Sequence, residues 1–125
     1  MKKDFDAIIR QYGYDIFLQR RTQNSDEIPT YSEVLERHTV RSGMASSRSL
    51  MNSQDEMIEG LLGTSARIYY FLSDSNPYEG DRIYEVDFRS EKLQSVWLIS
   101  HVFPQRGLDG HVVYWIVGVT RSKPN

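Results

Sequence analysis

The sequence predicts a small, mainly β protein: an antiparallel β-barrel or sandwich of about six strands, with a short N-terminal helix and one long polar loop. Three observations carry that expectation. Six stretches alternate apolar and polar residues, or run apolar, over strand-like lengths, and turn-forming clusters separate them. No long helical pattern lies between those stretches, which favours an antiparallel sheet closed on itself or folded into two layers. The 125 residues, 39% apolar and 12% aromatic, suffice for one core, so a single domain spans 1–125.

The elements follow in order. Within 1–14, Phe5, Ile8, Ile9 and Tyr12 share one face of a helix over Asp4–Tyr12, with Asp4 placed to cap it and Gly13 to end it in a left-handed conformation. So short a helix is unstable alone, and its stripe must dock on its own domain or on a neighbouring subunit. A barrel over 15–121 starts at Asp15–Arg21, where Ile16 and Leu18 alternate with Phe17 and Gln19. After a polar turn over Thr22–Thr30, Tyr31–Arg41 reads as a half-buried strand with weak face preference, suited to an edge or a bend.

Loop 42–63 breaks the alternation. It holds five serines and three methionines, and Ser53 with Glu56 has the spacing of a capping box. A connection of this length inside a compact domain is uncommon and usually functional or disordered. Strand patterns resume at Thr64–Leu72, Asp81–Phe88, Gln94–Phe103 and His111–Thr120. In Gln94–Phe103 the alternation sets Val96, Leu98 and Val102 opposite Trp97, Ile99 and Phe103. The last strand is apolar almost throughout, so both its faces are expected to be covered. Pro104–Gly110 reads as a hairpin loop, and 122–125 as a fraying tail.

Composition narrows the function. With no cysteine, disulfides and zinc–thiolate sites are excluded. No signal peptide and no membrane span is expected. A net charge of −2 argues against broad affinity for nucleic acid. His101, His111 and Asp109 around one hairpin make a weak metal signal. A Ser–His–acid set is open by composition, but no nucleophile elbow and no phosphate-cradling glycine loop appears. The expectation is therefore a non-enzyme with no cofactor and no metal. A second reading is a small OB-like module for single-stranded nucleic acid, with Tyr69, Tyr70, Phe71 and Tyr84 as stacking platform beside Arg67 and Arg82. Aromatics at this spacing also serve as core.

The order of elements resembles the head-closure, or stopper, proteins of tailed bacteriophages, within the wider head–tail connector group. The likeness rests on an opening hairpin, Asp15–Arg21 with Tyr31–Arg41, and on the long polar loop that follows it. It rests also on the strand Arg67–Phe71 leading into Pro77-Tyr-Glu-Gly-Asp-Arg-Ile83, which looks like the family's Pro-x-x-Gly-Asp-Arg-Ile turn, and on a closing strand pair. The resemblance implies a homo-oligomeric ring, hexamer or dodecamer, in the virion neck, assembled in the host cytoplasm. Its implied partners are a portal or adaptor protein, a tail terminator or other tail protein, and packaged double-stranded DNA. On that reading Met44, Arg48, Met51 and Met57 are candidate channel-loop residues, and Phe5, Ile8, Ile9 and Tyr12 are candidate subunit contacts.

Overall fold

A computed structural model describes residues 2–22, 30–43 and 65–122. One helix, α1 (Lys2–Tyr12), precedes six strands: β1 (Tyr14–Thr22), β2 (Thr30–Gly43), β3 (Arg67–Leu72), β4 (Arg82–Asp87), β5 (Lys92–Arg106) and β6 (Val112–Arg121). They form a closed antiparallel barrel in the order β1-β2-β3-β6-β5-β4. The expected barrel, strand number and N-terminal helix are all present.

Alternation fills the lumen. Ile16, Leu18, Val40, Tyr69, Phe71, Ile83, Trp97, Ile99, Val117 and Val119 pack into one core inside the barrel. A six-stranded barrel leaves room only for these side chains, so no channel runs through a single copy. A second cluster lies outside the wall, where Ile9 of α1 packs with Ile68, Tyr70, Leu72, Tyr114 and Ile116. β3 and β6 therefore bury both faces, as their apolar runs require.

Several boundaries and faces differ from the sequence expectation, each for a physical reason. Helix α1 begins at Lys2, so Asp4 lies inside its first turn rather than capping it. Gly13 is not left-handed, since the positive-φ glycines are Gly80 and Gly110. It is required for close approach: a Cβ there would overlap the carbonyl oxygens of Ile9 and Val40. Ser42 and Gly43 belong to β2, pairing with Tyr69 and Ile68, so the barrel wall extends into the segment expected as loop. In β5 the pairing with β6 shifts register between Ile99 and His101. One extra residue reverses the alternation, so Val102 packs on the inner core with Trp97 and Ile99, while Phe103 joins the helix side. β5 also runs through Pro104 to Arg106. Its ladder with β4 ends at Leu98, and Ile99 still bonds the backbone of Gly80 and Asp81; beyond Ile99 no strand pairs with that side of β5 among the described residues, an edge position where proline is tolerated.

Candidate functional site

Both barrel ends are closed by polar networks. At one end the roots of the 44–64 connection sit together, because β2 ends and β3 begins there, with Ser42 opposite Tyr69. The inward positions of β1, β2, β3 and β4 place Tyr14, Ser42, Tyr69 and Glu85 around one point. Glu85 accepts hydrogen bonds from the Tyr14 hydroxyl and, at 2.7 Å, from the Tyr69 hydroxyl. Tyr14 also lies 2.8 Å from Ser42 Oγ, and Arg67 Nη1 stands 3.5 Å from Glu85. Burial and the hydrogen bond to Glu85 push the Tyr14 phenol up to about 12; burial raises Tyr69 as well. Both hydroxyls thus remain protonated donors at neutral pH. The Arg67 and Arg121 guanidiniums both lie over the Trp97 ring, 5.1 and 5.5 Å from its centroid.

The opposite end is organised by Arg20, which follows Ile16 and Leu18 on the inner face of β1. Its five N–H donors meet five acceptors. Nε and Nη2 bind the two oxygens of Glu36 at 3.0 and 3.2 Å, and Nη2 also reaches the Ser75 carbonyl at 2.6 Å. Nη1 binds Asp81 Oδ2 at 3.1 Å and the Asn76 carbonyl at 2.6 Å. Burial pulls the Arg20 pKa down, but the bonds to Glu36 and Asp81 outweigh it and leave it raised. The Arg20 hydrogen bond, aided by one from His38, holds the Glu36 carboxyl below the usual range.

Asp81 is 2% exposed and accepts two backbone bonds besides, from Arg21 N at 2.8 Å and Tyr78 N at 3.2 Å. This explains the Pro-x-x-Gly-Asp-Arg-Ile turn residue by residue. Pro77 is buried, Gly80 takes a φ of +92°, Asp81 ties the turn to β1, and Ile83 enters the core. Arg82 lies 3.9 Å over the Tyr31 ring, whose hydroxyl donates to the Gly80 carbonyl.

The structure also aligns Ser75, His38 and Glu36: His38 Nδ1 is 3.2 Å from Ser75 Oγ, and Nε2 is 3.0 Å from Glu36 Oε1. The order is that of a catalytic relay. However, Ser75 is 2% exposed and its N–H donates to the Leu72 carbonyl, so that N–H is not an oxyanion donor. The set reads as a latch holding the 73–81 turn against β2.

The residues singled out from sequence divide clearly. Ile9 is buried, and Phe5 packs on Tyr114 with tilted rings whose centroids are 4.4 Å apart, so half of the helix stripe docks on its own barrel. Ile8 and Tyr12 stay exposed, at 36% and 64%. Met44, Arg48, Met51 and Met57 lie outside the described residues, as does the Ser53–Glu56 capping box. The stacking platform is not available: Tyr69, Tyr70 and Phe71 are buried on one or the other side of β3, and Tyr84 donates to Gln19. His101 pairs across from Gly118, well up the hairpin from His111, and no group of three possible metal-ligating side chains occurs among the described residues. Sequence reasoning missed Arg20 with Asp81 and Glu85 with its tyrosines, whose partners lie 16 to 71 residues apart. An arginine or acid at an inward strand position was the available signal.

No family model, no curated protein and no solved structure matches this chain.

Proposed function

We propose that the chain is a structural component of a tailed-bacteriophage neck, a head-closure or head–tail connector protein. Copies form a ring that closes the DNA channel after packaging and offers the tail a surface. One observation carries the reading: a closed barrel with a filled lumen roots both ends of its 44–64 connection on a single polar rim. A channel must then lie between copies, and the rim of Tyr14, Ser42, Arg67 and Arg121 is the part that faces it. Exposed Ile8 and Tyr12 on α1 supply one face for a heterologous ring contact, in which two different surfaces of each copy meet. The Pro77–Ile83 turn supports the same reading, since its glycine and aspartate positions are fixed by the barrel end they build.

Deletion of Ala45–Asp55 tests it. On this reading the segment serves the channel and not the barrel core, so the variant folds; an unfolded variant would refute it. Particles carrying it lose packaged DNA or fail to join tails. Normal particles would refute the channel role. Tight, salt-sensitive binding of the isolated chain to short single-stranded DNA would replace the neck reading with the nucleic-acid module.

A further inference from the structure

The barrel is closed, yet among the described residues two strand edges are left unpaired. β2 pairs with β3 only over Val40–Gly43, although it starts at Thr30. From Thr30 to Thr39 its side away from β1 has no strand partner among the described residues. Among the described residues, no backbone–backbone bond outside the β1 ladder ties it down. Where β2 and β3 part, a cleft of about 290 Å³ opens, lined by Arg10, Arg37, His38, Thr39, Asp74 and Ser75. The other free edge, β5 beyond Ile99, is blunted by Pro104, which has no N–H to offer. The β2 edge has no such guard. It presents Val34 at 70% and Leu35 at 42% exposure, thrown outward where the β1–β2 register is irregular opposite Arg20.

We infer that this edge pairs with the β2 edge of a second copy, antiparallel about a two-fold axis. The strand's own charges select the occupant and the register. Such an axis stands perpendicular to the joined sheet and keeps each face on its side. Each residue therefore meets itself or one an even number of positions away. Centring on Glu33, Glu36 or Arg37 sets like charges on the axis. Centring on Val34 leaves Glu33 against the partner's Leu35. Centring on Leu35 brings Leu35 against the partner's Leu35 and sets Val34 across from the partner's Glu36, but it alone pairs Glu33 with the partner's Arg37, twice over. Arg37 already binds Asp15 through Nε at 2.8 Å, which leaves its other donors for the incoming carboxylate. The cleft beside Thr39 then receives the start of the partner's strand. This contact involves neither α1 nor the 44–64 rim, so it stands independently of the neck reading.

Sedimentation equilibrium of the full chain, from micromolar to millimolar concentration, tests the pairing. The expected result is a reversible dimer, with hydrogen exchange at 30–39 slowed as concentration rises. Glu33→Arg places like charges opposite each other twice and weakens dimerisation about tenfold, while Glu33→Arg with Arg37→Glu restores it. Leu35→Lys, with two charges on the axis, abolishes it. Glu33 and Leu35 are exposed, so at concentrations where the wild type is monomeric both single variants keep its melting temperature. A wild-type chain that is monomeric throughout overturns the inference. So does a dimer or larger ring unaffected by Leu35→Lys.

Discussion

Replacing Asp81 by alanine removes the acceptor that joins β1 to the turn before β4. Three donors lose their partner: the N–H groups of Arg21 and Tyr78, and one N–H of Arg20. A donor stranded at a buried site costs about 1–3 kcal/mol. The two backbone groups, at the low end because water can enter the vacated space, account for about 2 kcal/mol. Arg20 keeps both bonds to Glu36, so its charge is not orphaned and the ion-pair loss adds about 1–2 kcal/mol, well below the full cost of breaking a buried pair. The sum is about 3–4 kcal/mol, a large part of the 5–15 kcal/mol typical of a domain. Asp81→Asn keeps one acceptor oxygen, which can serve Arg21 N, but turns an amide donor toward Arg20 and Tyr78 N; about 2 kcal/mol is expected. Urea unfolding at neutral pH, with unchanged m-values, reads both differences. A loss below about 1 kcal/mol for Asp81→Ala would refute the account of this turn.

Gly13→Ala is expected to cost about 3 kcal/mol and to free α1, because the added methyl meets backbone oxygens on both sides and neither can yield alone; hydrogen exchange in 5–12 reports the undocking. Ile9→Ala should cost about 2–4 kcal/mol and Ile8→Ala no more than about 0.5 kcal/mol, a contrast that thermal melting resolves. Acid should also destabilise the fold. The Asp15 carboxyl is held low by the Thr39 hydroxyl and by Arg37, and that of Glu36 by Arg20. Carboxyls lowered in the folded state contribute stability that is complete above their unfolded values, near pH 4, and is lost as pH falls through their folded ones. A melting temperature that holds constant from pH 6 to about pH 2.5 would contradict this.

Much of the barrel was legible because its determinants are local. Ile16 and Leu18 alternate cleanly, and the unbroken apolar run of Val112–Val119 announces a strand covered on both faces. β2 announced its ambiguity too: Val34 and Leu35 sit on opposite faces and both remain exposed. What escaped depends on partners distant in sequence. The extra residue at Ser100 is visible only against β6, and it alone decides that Val102 faces the lumen. Gly13 does follow the last helical residue, as expected, but not as a left-handed cap; only the approach of Val40 shows why a glycine is required there. The two polar ends escaped for another reason. Arg20, Glu36 and Glu85 occupy inward positions of their strands, where a charged residue contradicts the simple pattern and signals a network rather than a broken strand.

Labelling electron microscopy of particles from the genome that encodes this chain tests the central claim most directly. Antibody raised against the folded barrel should bind at the junction of head and tail, on full particles. Label confined to any other site on the particle, or particles that carry none of the chain, would contradict it.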